Sequence, residues 1–266
     1  MSRPIRSLSW RTDLILLDTS IVTDRGDYLV VRTPERRGFY WGNFLLFRRG
    51  PGPGDLGRWS ALFEREIASQ QLTRHVAFGW DSPEGEREGV DQFTDQGFRF
   101  DRSTVLTTRE LLPPYDDIPD YDIRPLTSVE DWEKVVDTQV LLRDHRFSEE
   151  DYRAFCRGRG EDYRRIIGKG LGMWFGAFRG EELLGDLGIF GRDGVARYQW
   201  VQTHPDHRRR GVAGNLIHAA GEWGRDHLGA TAFVIVTDPD SVAERLYRRC
   251  GFVSKEWQVT LEKGEG

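Results

Sequence analysis

The segment Arg208-Arg209-Arg210-Gly211-Val212-Ala213-Gly214 decides how the second half of the chain is interpreted. An apolar run from Ala196 to Thr203 precedes it and is typical of a strand. An amphipathic pattern from Val212 to Leu228 follows it and predicts a helix, whose inner face would be formed by Val212, Leu216, Ala220 and Trp223. The segment is therefore predicted to be a loop that leads from a strand into a helix.

A loop in this position has the chemistry of an anion-binding site. The first backbone N–H groups of a helix lack intrahelical partners and carry partial positive charge. Gly211 and the small Ala213 let phosphate oxygens approach these groups, and the three arginines add charge and forked donors. The pattern predicts a pyrophosphate cradle. The alternative is a basic turn before a surface helix, which the strand–loop–helix context favours less.

Two familiar phosphate loops do not match the segment. No Gly-Lys-Ser/Thr follows, so the nucleotide P-loop is excluded. The preceding strands are predicted as an antiparallel meander rather than the βαβ unit of dinucleotide sites. These strands are Met173–Phe178, Leu183–Phe190 and Ala196–Thr203.

Helices are predicted before the meander. Ser128 begins a capping box with Asp131, and the apolar spacing after it predicts a helix. Ser148 to Asp151 opens a second helix, which Gly158 and Gly160 are expected to break or bend.

After the loop helix the chain is expected to close with a strand, a helix and a strand. Thr231–Thr237 is a continuous apolar run that predicts a buried strand. Asp240 is expected to cap the following helix and Gly251 to end it. Val253–Leu261 alternates and predicts the last strand.

The first half of the chain repeats the later part of this pattern. Gly97-Phe98 lies where Gly251-Phe252 lies in the second half. Strands are predicted at Tyr28–Arg32, Trp41–Phe47, His75–Trp80 and Arg102–Thr108, with a helix through Trp59 and Ile67 and a short one near Val90–Gln96. We predict two related units of an α+β fold, each a mixed, mostly antiparallel sheet flanked by helices, with the opening helices missing from the first.

The predicted boundary between the units is the segment from Leu112 to Pro119. Its prolines lack backbone donors and its acidic residues favour solvent, which is typical of a linker. The first unit would comprise residues 1–114 and the second residues 120–266.

Three motifs of the second unit resemble those of the GNAT superfamily of N-acetyltransferases. Arg208-x-x-Gly211-x-Ala213 matches the family's Arg/Gln-x-x-Gly-x-Gly/Ala hallmark. Thr203-His204-Pro205-Asp206 and Ala243-x-x-Leu246-Tyr247-x-x-Cys250-Gly251-Phe252 resemble other family segments. The element order from Tyr121 to Leu261 also fits the family. The resemblance implies a tandem GNAT protein that transfers an acetyl group from acetyl-CoA to an amine.

The resemblance also implies where acetyl-CoA would bind. The pantetheine arm would run along the backbones of Val201, Gln202 and Thr203, and the pyrophosphate would meet Arg208 to Gly214. Asp240 stands where the family usually has an asparagine. An aspartate cannot donate an amide hydrogen bond, so its contact with the cofactor would differ.

Tyr247 matches the tyrosine that often acts as general acid in the family. A phenol titrates near pH 10 and is protonated at neutral pH, so it could protonate the departing thiolate. The alternative for Tyr247 is an ordinary core tyrosine.

The general base is less defined. An acceptor ammonium must lose a proton before it attacks a thioester. Tyr198, Gln199 and Gln202 lie on the predicted strand Ala196–Thr203, which has no carboxylate, and Asp186 is a candidate on the strand before it, Leu183–Phe190. His145 and His204 are weaker candidates, and an ordered water or an amine that arrives neutral remain open.

The first unit carries a similar motif that we predict to be inactive. Arg49-x-x-Gly52-x-Gly54 has the same spelling, but Pro51 and Pro53 remove N–H groups from the would-be cradle. Gln96, not tyrosine, precedes Gly97-Phe98. We therefore predict a degenerate first unit that shapes the acceptor site, and one cofactor site per chain.

Charge, hydropathy and cysteine content restrict the partners and the location that are expected for the protein. The net charge of -5 gives no overall attraction to nucleic acid, and no apolar run is long enough for a membrane helix or signal peptide. Cys156 and Cys250 are expected to be core residues of a reduced, cytoplasmic protein. No metal site is predicted. The expected acceptor is a small-molecule or peptide amine, and the protein a monomer or homodimer. The alternatives are a longer acyl donor, or a CoA-binding sensor without transferase activity.

Overall fold

The computed structural model describes residues 4–71, 73, 75–113 and 120–264. The strands are β1 (Ile21–Asp24), β2 (Tyr28–Arg32), β3 (Phe44–Phe47), β4 (His75–Trp80), β5 (Arg99–Thr108), β6 (Asp122–Pro125), β7 (Gly172–Arg179), β8 (Glu182–Arg192), β9 (Val195–Thr203), β10 (Ala232–Thr237) and β11 (Val253–Gly264). The α-helices are α1 (Leu8–Leu16), α2 (Asp55–Phe63), α3 (Ser69–Gln71), α4 (Asp91–Thr94), α5 (Val129–Leu141), α6 (Glu149–Gly168), α7 (Val212–Leu228) and α8 (Val242–Arg249). Short 3-10 turns cover Tyr40–Gly42 and Pro205–His207, and a π turn covers Glu64–Ala68.

The chain forms two compact units. Unit 1 comprises Met1–Val105, Val236–Pro239 and Ser254–Gly266, and unit 2 comprises Leu106–Ile235 and Asp240–Val253. This division differs from the predicted boundary between residues 114 and 120. The final strand belongs to unit 1 because β11 pairs antiparallel with β4, with Val259 opposite Trp80. Residues 114–119 of the predicted linker lie outside the described residues.

Unit 1 is a mixed sheet with the strand order β1-β2-β3-β4-β11-β5. β3 and β4 are parallel, whereas β1–β2, β2–β3 and β4–β11 are antiparallel. Aromatic rings fill much of its core, and the ring of Trp59 stacks on Phe47 with centroids 3.7 Å apart. The strands predicted at Tyr28–Arg32 and His75–Trp80 are confirmed.

Neither α1 nor β1 was predicted from the sequence. The buried face of α1 includes Ser9 and Thr12, so the helix shows no clear apolar periodicity. Polar groups of unit 1 hold this face, since the Ser9 N–H donates to the Glu256 carboxylate at 2.8 Å.

Unit 2 has the strand order β10-β9-β8-β7-β6. β6 to β9 pair antiparallel in sequence, which confirms the predicted meander, and β10 is parallel to β9. The predicted inner face of α7 is confirmed, since Val212, Leu216 and Ala220 are buried in the main core of the unit and Trp223 packs against it. The mixed sheet flanked by helices confirms the predicted fold class.

The helices α5 and α6 begin as the sequence predicts. Ser128 and Ser148 are their N-cap residues, and each side chain accepts a hydrogen bond from the N–H three residues later. The expected break at Gly158 and Gly160 is wrong, because α6 is continuous through both. A Cβ at Gly160 would lie 3.4 Å from the Trp132 ring of α5, so this glycine faces α5 where the two helices pack. Within the described part of the chain, no helix is long and apolar enough to cross a membrane.

Candidate active site

The arginine–glycine loop leads directly into α7. Gly211 is the N-cap with φ 75°, a left-handed conformation that glycine adopts readily, and no side chain caps the helix. The first intrahelical bond in the turn runs from the Asn215 N–H to the Gly211 carbonyl at 3.0 Å. The N–H groups of Val212, Ala213 and Gly214 precede it and point out of the helix start.

The surroundings of this helix start are open and basic. Arg208, Arg209 and Arg210 are exposed, and the Arg208 guanidinium also reaches the Thr203 carbonyl at 3.4 Å. A Cβ placed on Gly214 would meet no atom within 4 Å. Uncapped donors, open space and three cations together fit the pyrophosphate of CoA.

Strands β9 and β10 pair over only part of their lengths. The parallel register joins Val195–Arg197 to Ala232–Val234 and stops there. On its other side, β9 stays paired with β8 as far as Thr203 opposite Gly185. Within the described part of unit 2, the β9 backbone at Val201, Gln202 and Thr203 thus has a strand partner on one side only. This free edge can accept an extended amide-containing chain.

A bulge lies at the start of this free segment. Asp186 is opposite Gln202 and Gly188 is opposite Gln199, so β9 has one more residue than β8 between these pairs. Trp200 has φ 50°, an unfavourable conformation for a residue with a Cβ. Bulges bend a strand and redirect its side chains. The bulge at Trp200 was not predicted from the sequence.

Tyr247 lies on α8 with 5% of its surface exposed, and its ring is 6.4 Å from that of Phe252. Burial raises the pKa of its phenol above the ordinary range, and Cys250 raises it further. The phenol therefore keeps its proton throughout the neutral range. Tyr198, a base candidate from the sequence, donates to the Ile217 carbonyl at 2.7 Å, and burial raises its pKa as well. A buried donor of this kind does not act as a base.

The start of α8 differs from the prediction. Ser241, not Asp240, is the N-cap, and its side chain accepts from the Glu244 N–H at 3.0 Å. The Glu244 carboxylate accepts from the Asp240 N–H at 2.6 Å. Asp240 precedes the helix with φ 59°, and its side chain is exposed. The serine and glutamate form the cap, so the aspartate is free of that role.

Asp186 is fully buried on β8. One carboxylate oxygen accepts from the Trp174 indole N–H at 2.9 Å, and the other from the Gln202 side-chain amide at 2.8 Å. Burial raises the pKa of Asp186 to about 7, although both hydrogen bonds act to lower it. Asp186 could be recognised from the sequence as an acidic residue in the middle of the apolar run Leu183–Phe190. Nothing in the sequence indicated that Trp174 would be its partner.

The other base candidates have structural partners or lie at the surface. The Gln199 side-chain amide donates to the Tyr163 hydroxyl at 3.1 Å. His204 accepts from the Asp206 N–H, and His145 is exposed between α5 and α6. Aromatic rings continue outward from Trp200, through Phe155 and Tyr152 to the exposed Phe147.

The corresponding loop of unit 1 also ends in a left-handed glycine at a helix N-terminus, but a carboxylate of the protein occupies it. Gly54 is the N-cap of α2 with φ 77°, close to the value at Gly211. The buried carboxylate of Asp55 accepts from the Gly52 N–H at 2.8 Å and pairs with Arg49 and Arg58. The protein's own carboxylate thus uses the donors that a phosphate would need, whereas the first turn of α7 has no acidic residue.

Comparison with known proteins agrees with this geometry. Residues 132–252 match the profile of the acetyltransferase (GNAT) family. The matched segment covers most of unit 2 and is similar to a GNAT acetyltransferase domain. No curated protein sequence is significantly similar to the chain.

Solved structures share the fold over nearly the whole chain. A GCN5-related N-acetyltransferase from Kribbella flavida is 16% identical, with 98% of this chain and 97% of that one covered and a TM-score of 0.69. A functionally unknown conserved protein from Staphylococcus epidermidis is 14% identical, with 91% and 92% covered and a TM-score of 0.74. A tandem GNAT protein from the clavulanic acid biosynthesis pathway is 12% identical, with 100% and 90% covered and a TM-score of 0.58. At these identities the likeness shows the fold alone.

Proposed function

We propose that the protein is an acyl-CoA-dependent N-acyltransferase that transfers an acetyl group to a primary amine. The observation that carries the proposal is the uncapped start of α7 beside the free edge of β9. The helix start is suited to a pyrophosphate and the free strand edge to an extended chain with amide groups, and acetyl-CoA contains both.

The cradle would act through backbone and side-chain donors together. The N–H groups of Val212, Ala213 and Gly214 would bind pyrophosphate oxygens, aided by the partial positive charge of the helix start. Arg208, Arg209 and Arg210 would add ionic contacts, which salt screens. Gly211 would let the pyrophosphate approach the backbone, because it has no side chain.

The free edge of β9 would hold the pantetheine arm. The backbone groups of Val201, Gln202 and Thr203 would pair with the amides of the arm as a neighbouring strand would. Asp240, exposed before α8, would contact the cofactor only as an acceptor.

Acetyl-CoA supplies the acyl group as an activated thioester. As the amine nitrogen bonds to the acyl carbon and the C–S bond breaks, Tyr247 would donate its proton to the leaving sulfur and regain one from solvent. The amine would attack in its neutral form, which an ammonium reaches by first losing a proton to water. Once the bond to the acyl carbon has formed, the nitrogen would lose one further proton to water. Efficient general acids contribute about 100-fold to 10,000-fold to a rate.

Unit 1 would not bind a second CoA. The Asp55 carboxylate accepts from the Gly52 N–H and pairs with Arg49 and Arg58, and the two prolines have no N–H to donate. We propose one cofactor site per chain and a structural role for the degenerate unit.

A CoA-binding sensor is the second candidate. It is favoured by one observation: the described residues of β9 include no carboxylate, and Asp186 on β8 is fully buried. The experiment is an amine screen with acetyl-CoA that measures free thiol. Amine-dependent thiol release and an acetylated amine support the transferase. Binding of acetyl-CoA without thiol release for any amine supports the sensor, and a parallel screen with longer acyl-CoA donors tests the acyl group.

A further inference from the structure

Asp186 differs from the other buried carboxylates of unit 2 in the kind of partner it has. Both of its hydrogen-bond donors, the Trp174 indole and the Gln202 amide, are neutral. The other buried carboxylates have arginine partners: Asp131 with Arg124, Asp162 with Arg159, and Glu244 with Arg248. A carboxylate without a cation in a fully buried position destabilises the fold, so it calls for a functional explanation.

Trp174, Asp186 and Gln202 form a row of hydrogen bonds in which the donor and the acceptor of each bond are fixed. The indole can only donate, and the Asp186 carboxylate, once it is ionised above its raised pKa of about 7, can only accept. Gln202 must therefore turn its NH2 group toward Asp186, which directs its carbonyl oxygen away from the buried cluster. Within the described part of the chain, no donor is bonded to that oxygen, and the Gln202 side chain is partly exposed.

The side-chain carbonyl oxygen of Gln202 lies beside the strand segment proposed for the pantetheine arm. Its backbone belongs to the free segment of β9, which follows the bulge at Trp200. If the thioester lies along that segment, the carbonyl oxygen of the side chain is available beside it to accept a hydrogen bond from an amine N–H.

We propose that Asp186 is a positioning residue that fixes Gln202 with its carbonyl oxygen toward the acceptor nitrogen, and that Gln202 binds this nitrogen. This inference rests on the proposed acyltransferase function. It explains why a carboxylate without a cation is kept in the core of the unit.

Replacing Asp186 with asparagine would reverse the polarity without changing the size of the side chain. The asparagine oxygen must face the Trp174 N–H, so its NH2 group would face Gln202. Two NH2 groups cannot form a hydrogen bond with each other. The side-chain amide of Gln202 would therefore rotate by about 180°, so that its oxygen accepts from the asparagine. The acceptor amine would then meet a donor instead of an acceptor.

A second substitution restores the polarity. In D186N/Q202E, the glutamate carboxylate would accept from the asparagine NH2 group and still present an oxygen to the amine. A packing role of Asp186 alone would give no such rescue. Q202E alone places two carboxylates together and serves as the unrescued control.

The first readout is kcat/KM for the amine in thiol release, measured above pH 8 so that Asp186 is ionised, with acetyl-CoA affinity measured by calorimetry in the same variants. We expect D186N to lower kcat/KM about 10-fold to 100-fold, as for a lost or unsatisfied hydrogen bond, with acetyl-CoA affinity unchanged. D186N/Q202E should recover most of the loss. Wild-type kinetics in D186N, or a folded double variant no better than D186N, would overturn the proposal.

The second readout does not need activity. The Gln202 side-chain amide, assigned by NMR from its absence in Q202E, should exchange slowly with solvent in the wild type and faster in D186N. Equal exchange in the two would overturn the fixed polarity. Failure of the proposed function would look different: a wild-type protein that neither binds acetyl-CoA nor releases thiol.

Discussion

Asp186 and Gln202 lie opposite each other on β8 and β9, and the side-chain amide of Gln202 donates to the buried carboxylate at 2.8 Å. This pair links the core of unit 2 to the strand segment proposed for the pantetheine arm. The same pair also predicts an unusual pH dependence of stability.

Asp186→Asn should stabilise the protein above neutral pH. Burial raises the pKa of Asp186 from 3.8 to about 7, so the native state binds more protons than the unfolded state between these values. The contribution of Asp186 to the free energy of unfolding therefore falls as pH rises from 4 to 7. The full loss is roughly 4 kcal/mol.

Chemical denaturation of both proteins between pH 5 and 8 measures this effect. The difference in unfolding free energy, variant minus wild type, should grow with pH and level off above pH 7. A difference independent of pH would show that Asp186 is not destabilised by burial. Together with slower turnover, a more stable variant would be the signature of a residue kept for function.

Tyr247→Phe should slow turnover at least about 100-fold if the phenol protonates the leaving thiolate. Acetyl-CoA affinity should stay within a few-fold of the wild type. Tyr198→Phe is the matched control, because both tyrosines are buried in the same core and only Tyr198 has a carbonyl partner, Ile217. It should lose about 1 kcal/mol of stability and keep most of its activity. Equal losses of turnover in the two variants would make Tyr247 a core residue only.

Asp55→Asn should destabilise unit 1 without changing CoA binding. Burial acts to raise the pKa of Asp55, but the Gly52 N–H and Arg58 outweigh it, and the pKa lies below its ordinary range. The ionised carboxylate thus contributes stability above the unfolded pKa, and this contribution is lost as pH falls through the folded value. Denaturation should show a variant about 1–3 kcal/mol less stable at pH 7, and the difference should shrink as pH falls through the acidic range. A second bound CoA in the variant would show that Asp55 had blocked a competent site.

The sequence predicted most of unit 2 because its patterns are local. The alternation in β7 to β9, the serine caps of α5 and α6 and the apolar face of α7 each depend on neighbouring residues. Features that depend on tertiary contacts were missed. Gly160 lies within the continuous helix α6 and faces the Trp132 ring of α5, a contact that the local sequence does not show. The assignment of β11 to unit 1 depends on pairing with β4, which has no local signal.

The site was predictable to a similar extent. The loop and its helix could be recognised because charge, glycine and periodicity coincide within a few residues. Asp186 could be noted as an acid in an apolar strand, but its partners Trp174 and Gln202 meet it only through strand pairing. The bulge at Trp200 depends on the register of β8 and β9. The positive φ of Trp200 was not predictable, because tryptophan is not a residue type that favours this conformation.

Calorimetric titration of acetyl-CoA into Gly211→Val and Gly54→Val tests the central claim most directly. Both glycines are left-handed N-caps, so each substitution should strain its helix start by about 1–2 kcal/mol. The wild type and Gly54→Val should bind one acetyl-CoA per chain, whereas Gly211→Val should show none. Binding retained in Gly211→Val and lost in Gly54→Val, or two sites in the wild type, would contradict the placement of the cofactor at the start of α7.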